Sequence, residues 1–322
     1  MSNERTISVT LTHDSTTYKP VVIGDVTVEW TRFGTPGKLK MTVLKDSTLK
    51  VENGDCVRLV VDGRNFFFGF IFIIDRKEAD QLSLTAYDVL RYLKSKDIFK
   101  MPKQTYTKAL KTVLKRYGLK AGAIANTKYV RKAKVFNGCV LDMLETYRKD
   151  TKNSKGVNYI LYADFNKVCL KAQSSMKTDY VVTAAMASDF SYSSSIDERT
   201  YTVIKLYKGS GKKTKVYTKT SAAAKKKYGR LTYAENTKLK SKSKINKKLK
   251  TIAKAHDAPS KKLQIKNVFG VVNIRAGSGV RVEIEETGIT INRSMTVGTV
   301  THKFSAGRHT MDLTLIGGDF RE

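Results

Sequence analysis

The residues of this 322-residue chain whose types could do chemistry are four histidines, three cysteines and a few carboxylates. His302 and His309 fall on adjacent strands of an expected hairpin, as cross-strand neighbours with Asp312 the nearest carboxylate. A metal needs three converging ligands, and neither HExxH nor a comparable spacing occurs, so the pair reads as a surface hairpin and no metal is expected. His13 ends a strand and His256 a helix. Cys56, Cys139 and Cys169 are odd in number, far apart and without a CxxC pair, so they read as small apolar residues. Cleavage of a wall glycan needs two carboxylates across a cleft, roughly 5 or 6.5–9.5 Å apart. Asp142 and Glu145 sit three apart beside Arg148 and Lys149, which is the pattern of helix-surface charge. Glu283, Glu285 and Glu286 form an acidic knot, with Glu283 and Glu285 alternating with Ile284 along a strand toward solvent. Gly209-Ser210-Gly211 and Gly277-Ser278-Gly279 read as turns, since neither follows a strand and opens a helix as a phosphate loop does. No catalytic residue, no cofactor and no enzyme activity are expected.

Charge is the loudest feature. The net charge is +31, and between Arg199 and Lys266 there are 22 Lys or Arg against two acids, Glu235 and Asp257. Such a surface attracts polyanions or an acidic partner. Lysine dominates there, which suits diffuse attraction better than bidentate readout of bases, so no sequence-specific nucleic-acid partner is expected. Tyr207, Tyr217, Tyr228 and Tyr233 interleave with the lysines, a pattern compatible with packing and with non-specific binding of single strands.

The elements that must position these residues change period along the chain. Up to about residue 90 apolar residues alternate: Ile7, Val9, Leu11; Val26, Val28, Trp30; Leu39, Met41, Val43; Val57, Leu59, Val61; Leu82, Leu84, Ala86. Turn signals at Gly34–Gly37, Asn53-Gly54 and Asp62-Gly63 separate them, which suggests a small barrel or sandwich. Tyr106, Ala109, Leu110, Val113, Leu114 and Tyr117 recur at three and four with Gly118 after them, an amphipathic helix with its cap. Val140, Met143, Leu144 and Tyr147 predict a second, shorter helix. A strand pair follows across 157–170. After Phe190 strands return, interrupted by helices over Ser221–Tyr228 and Ser241–His256, the latter with Ile245, Leu249, Ile252 and Ala253 inward. The expected organisation is α+β, mainly β: an N-terminal β-barrel over 1–95, an α+β middle domain over 96–189, and a second β-barrel over 190–322 with inserted lysine-rich helices. No stretch approaches the ~18 apolar residues of a membrane span. The start, MSNERTISVTLTHD, reads as a strand and not as a secretory signal.

Several segments carry a family pattern. GTPGKLKMTVLKD, ENGDCVRLVVDGRNFFFGFIF and LSLTAYDVLRYLKSKDIF, then YILYADFNKVCLK, ASDFSYSSSIDERTYTVIKL and VRVEIEETGITINRSMTVGTVTHKFSAGRHTMDLTL, resemble the baseplate hub proteins of PBSX-like prophage tails and related contractile particles. The resemblance spans nearly the whole chain. That family is similar in architecture to the T-even phage hub and to the N-terminal part of type VI secretion spikes. The resemblance implies two tube-like β-barrel domains with a smaller α+β domain, and a homotrimer whose six barrels mimic one ring of the tail tube. It implies as partners the tail tube protein, the central spike protein, tape-measure, a LysM-type tail protein and baseplate wedge proteins, in a virion or tail-like particle. Some relatives are labelled hydrolases, but no catalytic residue carries over. Two departures stand out: the insert Lys208–Lys254 is more basic than the pattern, and Asn166 stands where glycine is expected. Lys212, Lys213, Lys215, Lys225, Lys226, Lys227, Lys242, Lys244, Lys247 and Lys248 are expected to line the bore or to face an acidic partner. The alternatives are a cell-wall hydrolase of the tail tip and a basic polyanion-binding protein.

Overall fold

Apolar residues at every second position make strands that bury one face, and that pattern builds most of the computed structural model. It describes residues 5–78, 80–186, 189–197, 199–286, 289–317 and 320. The protein is mainly β with helices set into it. It forms two compact units, one of 1–190 with 265–314, the other of 191–264 with 315–322.

In the larger unit an antiparallel path runs through Ile289–Ser305, Val22–Thr31, Lys38–Leu44, Gln81–Tyr87, Arg64–Glu78, Cys56–Val61, Ile7–His13 and Thr16–Tyr18. The expected alternation is what the strands bury: Val26, Val28 and Trp30; Leu39, Met41 and Val43; Val57, Leu59 and Val61. The last strands join the first, with Val28 opposite His302 and Val26 opposite Phe304. Asp62 and Gly63, at φ 50° and 71°, form the two-residue turn between Cys56–Val61 and Arg64–Glu78, the left-handed pair that matches strand twist. Asp62 also anchors the chain start by accepting from Arg5 Nη1 at 2.6 Å and Thr6 N at 3.0 Å.

Helices α1 (Tyr106–Arg116) and α2 (Val140–Lys155) share a core with the hairpin Tyr159–Asp164/Lys167–Ala172. Thr105 caps α1 by accepting from Lys108 N at 3.3 Å, and Gly118 follows at φ 63°. Helix α2 is not the short helix expected from Val140 to Tyr147 but runs on to Lys155, where Gly156 caps it at φ 73°. The continuation is carried by Arg148 and Thr151, both buried, inside a run that reads as polar surface. In the hairpin turn the left-handed residue is Phe165, at φ 52°, so Asn166 need not supply the conformation for which glycine was expected.

Candidate functional site

The lysine-rich region builds its own small scaffold. Val203–Lys208 is the central strand, antiparallel to Lys215–Thr220 and parallel to Thr232–Asn236. Gly209 opens the turn at φ 94°, and a Cβ there would stand 2.7 Å from the carbonyl oxygen of Lys213, so only glycine fits. A short helix α3 (Ala222–Tyr228) leads to the third strand, and α4 (Lys242–His256) covers one sheet face. Ile204 and Leu206 meet Ile245, Leu249 and Ala253 there, flanked by Tyr201, Tyr217 and Tyr233. These are the residues the helical and strand periods set inward. The tyrosines are core edge here, with the Tyr201 and Tyr233 rings 5.0 Å apart.

Off that core, lysines dominate the exposed surface. Lys213 and Lys215 are exposed at the hairpin, Lys225, Lys226 and Lys227 on α3, and Lys242, Lys244 and Lys247 on α4; the Lys212 side chain lies outside the described residues. Lys248 is different: its Nζ donates to Glu235 Oε1 at 2.7 Å, and Tyr233 Oη donates to Glu235 Oε2 at 2.9 Å. Burial pushes the Glu235 carboxyl up, but these two donors together hold it below the usual carboxylate range. The structure gathers part of the expected set. Lys242, Lys247, Lys250 and Lys254 follow one face of α4, and Lys227 meets Lys219, Lys250 and Lys254 around a cleft between α3 and α4. Lys219, Lys250 and Lys254 were missing from the expected set. The four-residue spacing of Lys250 and Lys254 was the signal that could have found the latter two.

The larger unit holds the titratable residues that chemistry would need. His302 and His309 are cross-strand neighbours, with Nδ1 of His302 2.8 Å from Nε2 of His309. They are buried, not on a surface hairpin: their rings pack with Trp30, Phe66 and Phe304. The geometry sets the tautomers. His302 Nε2–H donates to the Ile274 carbonyl at 3.0 Å, so its Nδ1 must accept from His309 Nε2–H. That leaves His309 Nδ1 buried without a partner. Burial holds both pKa values down, His309 to about 4 and His302 well below its usual value. Asp312 faces the other side of its strand, where it pairs with Lys303 at 2.7 Å and accepts from Asn267 N. Among the described residues no group of three His, Cys, Asp or Glu is placed to hold a metal.

Several carboxylates are committed in the same way, while Asp142 is exposed on α2 and Glu285 on its strand. Glu145 is clamped by Arg148, at 2.5 Å from its Nη2, and the same guanidinium stacks 3.6 Å over Phe33 and donates to Asn158. Asn158 continues to Gln173 at 2.6 Å and Gln173 to Thr296 at 2.9 Å, a polar chain from α2 to the strand Ile289–Ser305. Glu283 pairs with Arg281 at 3.1 Å, while the Glu286 side chain lies outside the described residues. Asp88 is the unusual one, since neither Asp88 nor Arg275 stood out in the sequence. It is fully buried, accepts from Gly37 N at 2.7 Å and Leu90 N at 3.0 Å, and burial pushes its pKa up to about 7. A Cβ on Gly37 would overlap both Asp88 and the Trp30 ring, so that close approach needs glycine. Arg275 lies 4.7 Å over Trp30 and over Tyr162 and donates to the Ala163 carbonyl at 2.7 Å. These groups tie strands and helices together; Asn158, Gln173, Arg281 and Thr296 also line a cleft of about 530 Å³ whose lining holds no carboxylate. The cysteines are all free, Cys169 buried and the other two half-buried.

Comparison with known proteins gives the frame. The family model described as YQBQ-like matches residues 26–316. Bacillus subtilis (strain 168) YqbQ is 28% identical over 314 residues, covering 94% of each chain. The protein XkdQ of the phage-like element PBSX, from the same organism, is 27% identical with the same coverage. The 43 kDa tail protein of prophage MuSo2 from Shewanella oneidensis shares the fold: its crystal structure superposes with a TM-score of 0.71 over 98% of this chain and 99% of that one, at 10% identity.

Proposed function

We propose that this chain, which belongs to the YQBQ-like family, is the structural hub of a contractile tail baseplate, a homotrimeric adapter that joins a six-fold tail tube to a three-fold spike. The observation that carries the reading is the end-to-end match of fold and length to a prophage tail protein, alongside a sequence relative from the phage-like element PBSX. In this reading each chain contributes two tube-like β domains, drawn from 1–95 and 190–322, around the α+β domain of 96–189. Three chains then present six such domains, which matches one ring of a tube while keeping three-fold symmetry for the spike.

The role is structural and not enzymatic. Glu145 is clamped by Arg148, and His302 and His309 are buried in the core with their pKa values held down. Further partners in this reading are tape-measure, a LysM-type tail protein and baseplate wedge proteins, and the place of the protein is the baseplate of a virion or tail-like particle. The exposed lysines, Lys213, Lys215, Lys225, Lys226, Lys227, Lys242, Lys244 and Lys247, then face the bore or an acidic subunit. The test is native mass spectrometry of the tagged chain recovered from producing cells. Three copies with tube or spike subunits attached is the expected result; a chain that never trimerises and co-purifies with no tail subunit overturns the proposal.

A further inference from the structure

The cleft between α3 and α4 is a wide-open depression of about 830 Å³ that gathers lysines from both helices and from the strand before α3. Its α3 side is Ala222, Ala223 and Ala224, whose methyl groups leave the space open. Lys219, Lys227, Lys250 and Lys254 line it together with Thr220 and Tyr228. One carboxylate lines it, Asp257, and that group already accepts from Ser221 Oγ at 3.2 Å. None of the four lysines has a carboxylate partner among the described residues, although all four are exposed. Like charges gathered around one concavity repel each other, and an anion placed among them removes that repulsion.

The cleft also continues into a track. Lys242, Asn246, Lys247, Lys250, Thr251 and Lys254 line one face of α4. Lys242 to Lys254 spans ~18 Å of helix axis at 1.5 Å per residue. One strand of a nucleic-acid duplex carries a phosphate every ~3.4 Å of its axis, so the track covers about five phosphates. Lysine point charges with amide and hydroxyl donors between them suit phosphodiester oxygens and carry no base readout.

We propose that the α3–α4 cleft and the α4 track bind the phosphodiester backbone of a polyanionic chain, without sequence preference. This binding is a property of the isolated protein and does not depend on the hub reading. The experiment is fluorescence anisotropy of the full chain with a short labelled DNA duplex of arbitrary sequence, from about 50 to about 200 mM salt. Lys219→Ser, Lys227→Ser, Lys250→Ser and Lys254→Ser together should weaken binding at least about tenfold and make the log–log salt slope shallower by about 3 to 4. A control with the same loss of charge, Lys108→Ser, Lys111→Ser, Lys115→Ser and Lys120→Ser on the exposed side of α1 and the strand after it, should change neither. Unchanged far-UV circular dichroism shows that both variants fold. Poly(glycerol phosphate) as competitor separates the two sources of this chemistry: competition at matched phosphate assigns a wall polymer, and its failure assigns nucleic acid. The proposal is overturned if the control loses as much as the cleft variant, or if polyglutamate binds as tightly as the duplex, which would point to an acidic protein.

Discussion

The core around α1 and α2 and the core under α4 follow one rule, an amphipathic helix laid on a small sheet, and differ in depth. The first buries nineteen residues in one cluster, the second five. The charges around them differ too. Around the larger core three arginines have a counter-charge: Arg148 with Glu145, Arg131 with Asp150 at 2.6 Å, Arg116 with Asp97 at 3.3 Å. On α3 and α4 the pair of Lys248 and Glu235 is the ion pair seen among the described residues. Burial stabilises roughly in proportion to apolar area, while unpaired like charge opposes compactness. The comparison teaches that the larger core can hold a rigid framework unaided. The lysine unit keeps only enough core to display its charge, and stands to gain most from an anionic ligand.

The comparison can be broken most forcefully at the cores themselves. Leu110, fully buried in the large cluster, should cost ~2–5 kcal/mol when cut to alanine. Denaturant titration should show that loss in the main transition. Leu249→Ala in the small cluster should instead release protection of α4 amides in hydrogen exchange and leave the main transition in place. If both variants shift one common transition equally, the two cores are not independent.

Next in size is acid. The unfolded chain protonates histidine near 6.5, whereas folded His309 resists until about 4, so below 6.5 the unfolded state takes the proton first. Stability of the larger unit should therefore fall between pH 6.5 and about 4, by up to about 3 kcal/mol for His309 alone. Asp88 runs the other way. It keeps its proton to about 7 when folded, so its contribution is lost as pH rises from about 4 toward 7. His302→Leu with His309→Leu should expose the Asp88 slope, and Asp88→Asn the histidine slope. Parallel pH profiles for the two variants would contradict these assignments.

Arg148→Ala should destabilise the larger unit by ~2–3 kcal/mol, since it leaves Glu145 without its bidentate partner and strips the stack on Phe33. A thermal-melting change below ~0.5 kcal/mol would show that the chain from Arg148 through Asn158 and Gln173 to Thr296 carries no strain-bearing contact. The smallest effect belongs to the lysine unit. Glu235→Gln should cost ~0.5 kcal/mol, because both partners of the Lys248 pair are about a third exposed. Added salt should raise protection of α4 while leaving α1 unchanged.

Much of this was legible one residue at a time. Alternation at Val26, Val28 and Trp30, the three-and-four spacing of Ala109, Leu110 and Val113, and the inward set of α4 are local signals, and each found its element. The second half of α2 was hidden because Arg148 and Thr151 face inward while spelling a polar run. The histidines were hidden for a different reason. Adjacent hairpin strands make them neighbours, but whether that hairpin is wet depends on which strand lies beside it, and Val22–Thr31 comes from the other end of the chain.

The residues by themselves determined that this is a mainly β protein with two amphipathic helices of fixed facing and with its positive charge concentrated in one region. Those properties follow from periods of two and 3.6 and from composition, which need no partner segment. Tertiary structure alone decided that His302 and His309 are neutral core groups, that Asp88 keeps a proton near neutrality, and that Lys219, Lys227, Lys250 and Lys254 surround one cleft. Each of these depends on desolvation or proximity between segments far apart in sequence, and no local spacing encodes either.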